Sequence, residues 1–167
     1  MSLLLPDYLF RRIYEIPLSF FQQHGITALV LDVDNTLTTH NNPVPRRRVQ
    51  HWLEEMKNAG IKLMIVSNNN SDRVRPFAEM LNLDFVADGA KPLPKGILQA
   101  AKRMQVSPKH RAALGDQLFT DIAGAHTAGA TAILVEPMEA ESMWFFKVKR
   151  ALERPLLRAY YRKAGKS

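Results

Sequence analysis

Asp32 and Asp34 stand two residues apart where the apolar run 26–31 ends. Further along the chain, polar side chains of useful chemistry follow other apolar runs. Ser67 and Asn68 lie in "IVSNNN", Lys91 in "DGAKPLP", and Asp116 and Asp121 in "LGDQLFTD". Carboxylates gathered at one place repel, and one of them stays protonated unless a cation shares the site. The chain has no cysteine, so an all-oxygen donor set points to a hard ion such as Mg²⁺. Asp32, Asp34, Asp116 and Asp121 are its candidate ligands. Such an ion would neutralise acids and hold a phosphate oxygen. Ser67 offers a hydroxyl and Lys91 a positive charge to the other oxygens, and Ser67, Asn68 and Lys91 are the phosphate-binding candidates. Asp32 is then placed as nucleophile toward phosphorus, and Asp34 as general acid and base. A calcium-binding EF-hand is excluded: with Asp32 at position one, position six is Leu37 and position twelve is Pro43. Blander readings stand beside these. Ser67 could cap a helix, Lys91 could be solvated, and 68–70 could be turn-forming asparagines.

The elements that must position these groups follow from periodicity. Apolar runs at 26–31, 61–66, 85–87, 112–115 and 130–135 read as buried strands. Helical patterns lie between them. Val49, Trp52, Leu53 and Met56 mark one, ended by Gly60. Val74, Phe77, Ala78 and Leu81 mark a second, capped by Ser71 or Asp72; Ile97, Ala101 and Met104 mark a third, opened by Pro94; 120–128 is a fourth. Strands alternating with helices imply an α/β fold of three layers around a central parallel sheet. Ligands bind such sheets outside the carboxyl ends of the strands, where all the polar clusters fall. Residues 8–16 read as a short amphipathic helix in an N-terminal extension, 1–25. The core is expected over 26–137 and a basic amphipathic helical tail over 138–167.

The four clusters, DVDNT (32–36), Ser67, Lys91 and GDQLFTD (115–121), resemble in order the motifs of the haloacid dehalogenase (HAD) superfamily. The phrases "GITALVLDVDNTL", "VSNNNSDRVRPFAEMLNL" and "GAKPLPKGILQA" look like its YqeG-type, subfamily IIIA phosphatases, which are similar to phosphatidylglycerophosphate phosphatases. The resemblance implies a Rossmann-like HAD fold and an aspartyl-phosphate on Asp32. It also implies phosphate held by Ser67 and Lys91, with Mg²⁺ on Asp32, Asp116 and the Asp34 carbonyl. Asp121 would support the metal directly or through water. An acid at position 34 favours a phosphatase over a dehalogenase or a transport ATPase. The gaps from Asp34 to Ser67 and from Ser67 to Lys91 leave no room for a cap domain. The site is therefore expected to be open, covered by the loop 38–45, in which His40 could touch substrate.

The net charge is +7, and 144–167 carries eight basic residues against Glu153 alone, which equals the whole excess. Such asymmetry points to an anionic partner. Around the site, Arg46, Arg47, Arg48, Arg73 and Arg75 fall in the first turns of helices that begin at the active edge, where cations oppose the helix dipole. We read them as a basic collar at the substrate rim. In the tail, Phe145, Val148, Leu152, Leu156 and Ala159 follow helical spacing, and Pro155 is expected to split it into two helices. No apolar run approaches the ~20 residues that span a bilayer. The expectation is a cytoplasmic phosphatase peripheral to the membrane, acting on a phosphate ester, with a phospholipid as the preferred guess. A soluble ester and a non-catalytic nucleic-acid- or ribosome-associated protein are the alternatives; the oligomeric state is left open.

Overall fold

The computed structural model describes residues 2–39, 42–138 and 144–165, with side chains in the last segment from 150 onward. Six strands form one all-parallel sheet: β1 Tyr8–Phe10, β2 Ala28–Leu31, β3 Lys62–Val66, β4 Asp84–Val86, β5 Arg111–Gly115 and β6 Thr131–Val135, in the order β1-β6-β5-β2-β3-β4. The helices are α1 Leu18–Gln23, α2 Arg47–Asn58, α3 Ser71–Met80, α4 Lys95–Met104, α5 Ala123–Thr127 and α6 Trp144–Ala164. The three-layer α/β expectation holds, with a Rossmann-like sheet and no cap domain among the described residues.

Alternation along the strands builds the two cores. Leu29 and Leu31 point to one face, where Trp52, Leu53 and Met56 of α2 and Val74 and Phe77 of α3 cover them. Ala28 and Val30 point to the other, under Ile97 and Ala100 of α4 and Ala125 of α5. Each strand side chain is thus removed from water whichever way it points, which is why the strands read as unbroken apolar runs. The chain moves outward from β2 to β3 and β4, then returns beside β2 as β5. The reversal between β2 and β5 is the switch point at which such sheets bind ligands. Asp32 follows one of these strands and Asp116 the other.

Three local expectations are corrected. Residues 8–10 are a strand, not part of a helix. Asp7 N donates to the Ala132 carbonyl and Glu136 N donates to the Phe10 carbonyl, so this triplet extends the ladder of β6. Asp7 Oδ2 adds a bond from Ala132 N at 2.8 Å. A strand was available because β6 would otherwise expose an unpaired edge. The cap of α3 is Asn70, whose side chain accepts from Arg73 N at 3.1 Å, rather than Ser71 or Asp72. Finally, α6 runs unbroken through Pro155. Ala151 and Pro155 are both exposed, so water can take up the carbonyl that the proline leaves without a partner. His40 and the side chains of Phe145 and Val148 lie outside the described residues.

Candidate active site

The ends of β2 and β5 bring acids together. Oxygens of Asp32, Asp116 and Asp121 all lie within 4.8 Å of one another, with Asp116 and Asp121 buried. Lys91 Nζ enters this cluster, donating to Asp32 Oδ1 at 2.8 Å and to Asp121 Oδ1 at 2.6 Å. The second Asp121 oxygen accepts from the backbone N–H groups of Asp116 and Gln117 at 3.2 and 3.1 Å. Both of its oxygens are therefore engaged, which suits a supporting role. Asp116 Oδ2 takes the guanidinium of Arg150, whereas Oδ1 is buried with no hydrogen-bond partner among the described residues. A buried carboxylate oxygen left in that state is costly, and a bound cation would relieve it. The donor set and this orphaned oxygen fit a divalent metal.

The electrostatics agree. Burial, followed by the Asp121 charge, pushes the Asp32 carboxyl up to about 7, and Lys91 offsets only part of the rise. Burial would by itself lower the Lys91 ammonium, but Asp121 and Asp32 more than reverse that and hold it charged. Burial also raises Asp116 well above the ordinary carboxylate range, Asp121 adds to the rise, and Arg150 opposes it.

Asparagines 68–70 do three different things. Asn68 brackets the backbone of Lys91, donating to its carbonyl at 3.0 Å and accepting from its N–H at 2.8 Å. Asn69 Nδ2 donates to Asp34 Oδ2 at 3.1 Å, and its N–H donates to Ser67 Oγ, also at 3.1 Å. Asn70 is the helix cap. The turn after β3 thus orients Asp34 on one side and Lys91 on the other, with the buried Ser67 between them in sequence. Arg73 reaches Asp34 Oδ1 at 3.5 Å. Arg75 lies over the Phe85 ring and donates to Ser71 Oγ. Arg46, Arg47 and Arg48 are exposed at the start of α2, with Arg48 over the Tyr14 ring. Beside Asp34 and Ser67 opens a cleft of about 280 Å³, whose wall includes Val33, Pro43, Val74, Phe77 and Arg73.

Sequence reasoning missed Asn69, Arg150 and Glu153. Asn69 was hidden among three adjacent asparagines. Arg150 and Glu153 are 34 and 37 residues beyond Asp116, in a tail read for its net basic charge and its amphipathic spacing.

Gly115 is required by this packing. A Cβ there would fall inside the carboxyl group of Asp121. Gly115→Ala should cost about 2–3 kcal/mol, or roughly 5–10 °C in melting temperature for a chain of this size. It should also slow phosphate release by displacing Asp121 from Lys91. A thermal melt and a turnover assay on the same preparation check both effects.

The doubly wound parallel sheet thus places a lysine-bridged acid cluster at its switch point, where α/β proteins of this class bind their ligands. The haloacid dehalogenase-like hydrolase profile matches residues 14–129. The chain is 35% identical to the "Probable phosphatase YqeG" of Bacillus subtilis (strain 168) over 159 residues, covering 95% of this chain and 92% of that one. The chain belongs to the haloacid dehalogenase-like hydrolase family and is a phosphatase of that family. Among solved structures, it resembles the cobalt-bound deoxy-D-mannose-octulosonate 8-phosphate phosphatase of Haemophilus influenzae, with a TM-score of 0.55 and 16% identity over 82% of this chain and 90% of that one. It also resembles a 4-nitrophenylphosphatase of Thermotoga maritima, with a TM-score of 0.59 and 14% identity over 71% and 89%. At these identities the structural likeness speaks for the fold.

Proposed function

We propose that this protein is a Mg²⁺-dependent phosphomonoester hydrolase that works through an aspartyl-phosphate on Asp32, with a phosphatidylglycerophosphate-like lipid as its substrate at a membrane surface. The observation that carries the catalytic reading is the acid cluster bridged by Lys91, with an orphaned oxygen on Asp116. Asp32 and Asp116, with the Asp34 carbonyl, would hold the metal, and Asp121 would support it. When bound, a divalent ion offsets the charge of the acids and polarises the phosphate toward attack.

The chain's own residues do the rest. Lys91 holds Asp32 by Oδ1, so Oδ2 is the oxygen left to attack phosphorus. As that bond forms, the bond from phosphorus to the leaving oxygen breaks. Asp34, held by Asn69, passes its proton to the departing alkoxide. Asp34 then takes a proton from water, which attacks the phosphorus of the acyl phosphate. Asp32 is restored and inorganic phosphate departs. Ser67 and Lys91 hold the remaining phosphate oxygens, and Asn68 fixes the backbone from which Lys91 projects.

Support for a lipid surface comes from the rim. Val44, in the loop that leads into α2, is 52% exposed beside the exposed arginines that open that helix, and Leu93, in the loop before α4, is 63% exposed. Apolar tips among cations suit an anionic interface, where each Lys or Arg contributes about 1 kcal/mol. On α6, Arg154, Arg158, Arg162 and Lys163 are likewise exposed, with Leu152 and Tyr161 among them. No helix among the described residues is long and apolar enough to cross a membrane.

The test is phosphate release, with Mg²⁺ or with EDTA, from a panel containing phosphatidylglycerophosphate in mixed micelles, sugar phosphates, nucleotides and an aryl phosphate. Release that needs Mg²⁺ and is fastest on the lipid is expected. Preference for a soluble ester would overturn the lipid part, and no release from any substrate would overturn the enzyme mechanism. Changing Arg46, Arg47 and Arg48 together to Glu should weaken binding to anionic vesicles by at least ~10-fold while hydrolysis of the aryl phosphate stays near wild type. Unchanged flotation would remove the collar's role.

A further inference from the structure

The C-terminal helix is docked in an unusual way. A surface helix is ordinarily held by an apolar stripe. Among the described side chains of α6, the one fully buried is a carboxylate: Glu153 is 2% exposed, while Leu156 and Leu157 are half-buried against the second core. Burying an acid is costly unless it is paired. Glu153 Oε1 accepts from Leu118 N at 3.1 Å, and Oε2 accepts from Arg150 Nη1 at 3.2 Å. Arg150 in turn donates to the Asp116 carbonyl at 2.6 Å and places Nη2 on Asp116 Oδ2. These contacts grip the segment that carries Asp116 and opens the turn Leu118–Ile122, in which Asp121 sits.

Counting charge shows the consequence. Asp32, Asp116 and Asp121 bring three carboxyl groups to the site, and Lys91 and Arg150 bring two fixed positive charges, with the Glu153 carboxyl behind Arg150. Arg150 is thus a fixed counter-ion standing on a carboxylate that a divalent ion would use. A positive charge a few ångströms away repels a divalent cation twice as strongly as a monovalent one, and weak screening in a buried site preserves that repulsion.

We propose that α6 is a latch on the metal site, with Arg150 holding Asp116 against a divalent cation, so that helix docking and Mg²⁺ binding oppose each other. This rests on the divalent-metal reading given above. Linkage makes the opposition reciprocal: whatever factor docking takes from Mg²⁺ affinity, Mg²⁺ takes from docking. An anionic surface that draws the exposed basic face of α6 away would therefore tighten metal binding.

The experiment is Mg²⁺-dependent thermal stabilisation of the full chain, with Asp116→Asn as the control that should lose it. Arg150→Met, which keeps much of the stem and removes the charge, should lower the half-saturating Mg²⁺ by at least ~10-fold. Arg150→Lys, which keeps the charge but not the two-armed contact with Asp116, should fall between wild type and Arg150→Met. In the wild type, Mg²⁺ should speed amide hydrogen exchange across 150–157, a readout that also serves if Arg150→Met does not fold. Unchanged exchange in that segment would overturn the latch, as would an unchanged or higher half-saturating Mg²⁺ in Arg150→Met. If the wild type gains no stability from Mg²⁺ at all, the metal reading itself fails, and the latch falls with it.

Discussion

Asp32→Asn should lower phosphate release by at least ~10⁴-fold and, in the same protein, raise the melting temperature in EDTA at pH 8. On the proposed mechanism, the first effect follows from removing the atom that would attack phosphorus. The second follows from the crowding of the acids. Asp32 ionises in the folded state only near pH 7, against an ordinary carboxylate value of 3.8, because of burial and the Asp121 charge. Between those values the folded chain holds a proton that the unfolded chain has released. Stability therefore falls as pH rises through this window, and the loss is complete above it. Asparagine has no proton to lose. Its advantage should be small at pH 5 and grow to ~1–2 kcal/mol at pH 8, which is a few degrees for this chain length. Melting curves at the two pH values, beside a phosphate-release assay, test the pair of effects. Turnover within tenfold of wild type would remove Asp32 as nucleophile. A lower melting temperature at pH 8 would mean that Asp32 matters more as a partner of Lys91 than as a neighbour of Asp121.

Asp34→Asn should separate the two halves of the reaction. An alkyl phosphate needs its leaving oxygen protonated, so its turnover should fall by ~10²–10⁴-fold. 4-Nitrophenolate leaves without a proton, so the first half of its reaction should be nearly spared. Water must still be activated in the second half, and the amide of the variant cannot accept that proton. Rapid mixing with 4-nitrophenyl phosphate should then show a burst approaching one nitrophenolate per chain, followed by a slow steady rate. The side chain should keep its place, because an amide oxygen can still accept from Asn69 Nδ2, as Asp34 does now. Equal losses on alkyl and aryl esters with no burst would assign Asp34 a role in binding rather than in proton transfer.

The strength of both predictions comes from how the loops are tied. Asn68 and Asn69 are neighbours that serve opposite sides of the site, one on the Lys91 backbone and one on Asp34. A single turn after β3 therefore positions Asp34 and Lys91 together.

Much of this was legible in the chain itself. Apolar runs of strand length, separated by helical spacings, dictate a parallel α/β sheet, because each strand must be covered on both faces. Polar residues placed just after those runs must then meet at the carboxyl edge, which is why Asp32, Asp34, Ser67, Lys91 and Asp116 could be grouped from their positions alone. What tertiary structure decided was everything that depends on a partner distant in sequence. Residues 8–10 carry too few side chains for periodicity to tell strand from helix, and only the open edge of β6 made them a strand. Arg150 and Glu153 look like ordinary charges of a basic tail, and only the packing of α6 on the segment after β5 makes one a counter-ion to Asp116 and the other a buried acceptor. Local pattern reports which surface a residue must hide; it carries no information about which remote charge will be waiting there, because that interaction exists only once the chain has closed on itself.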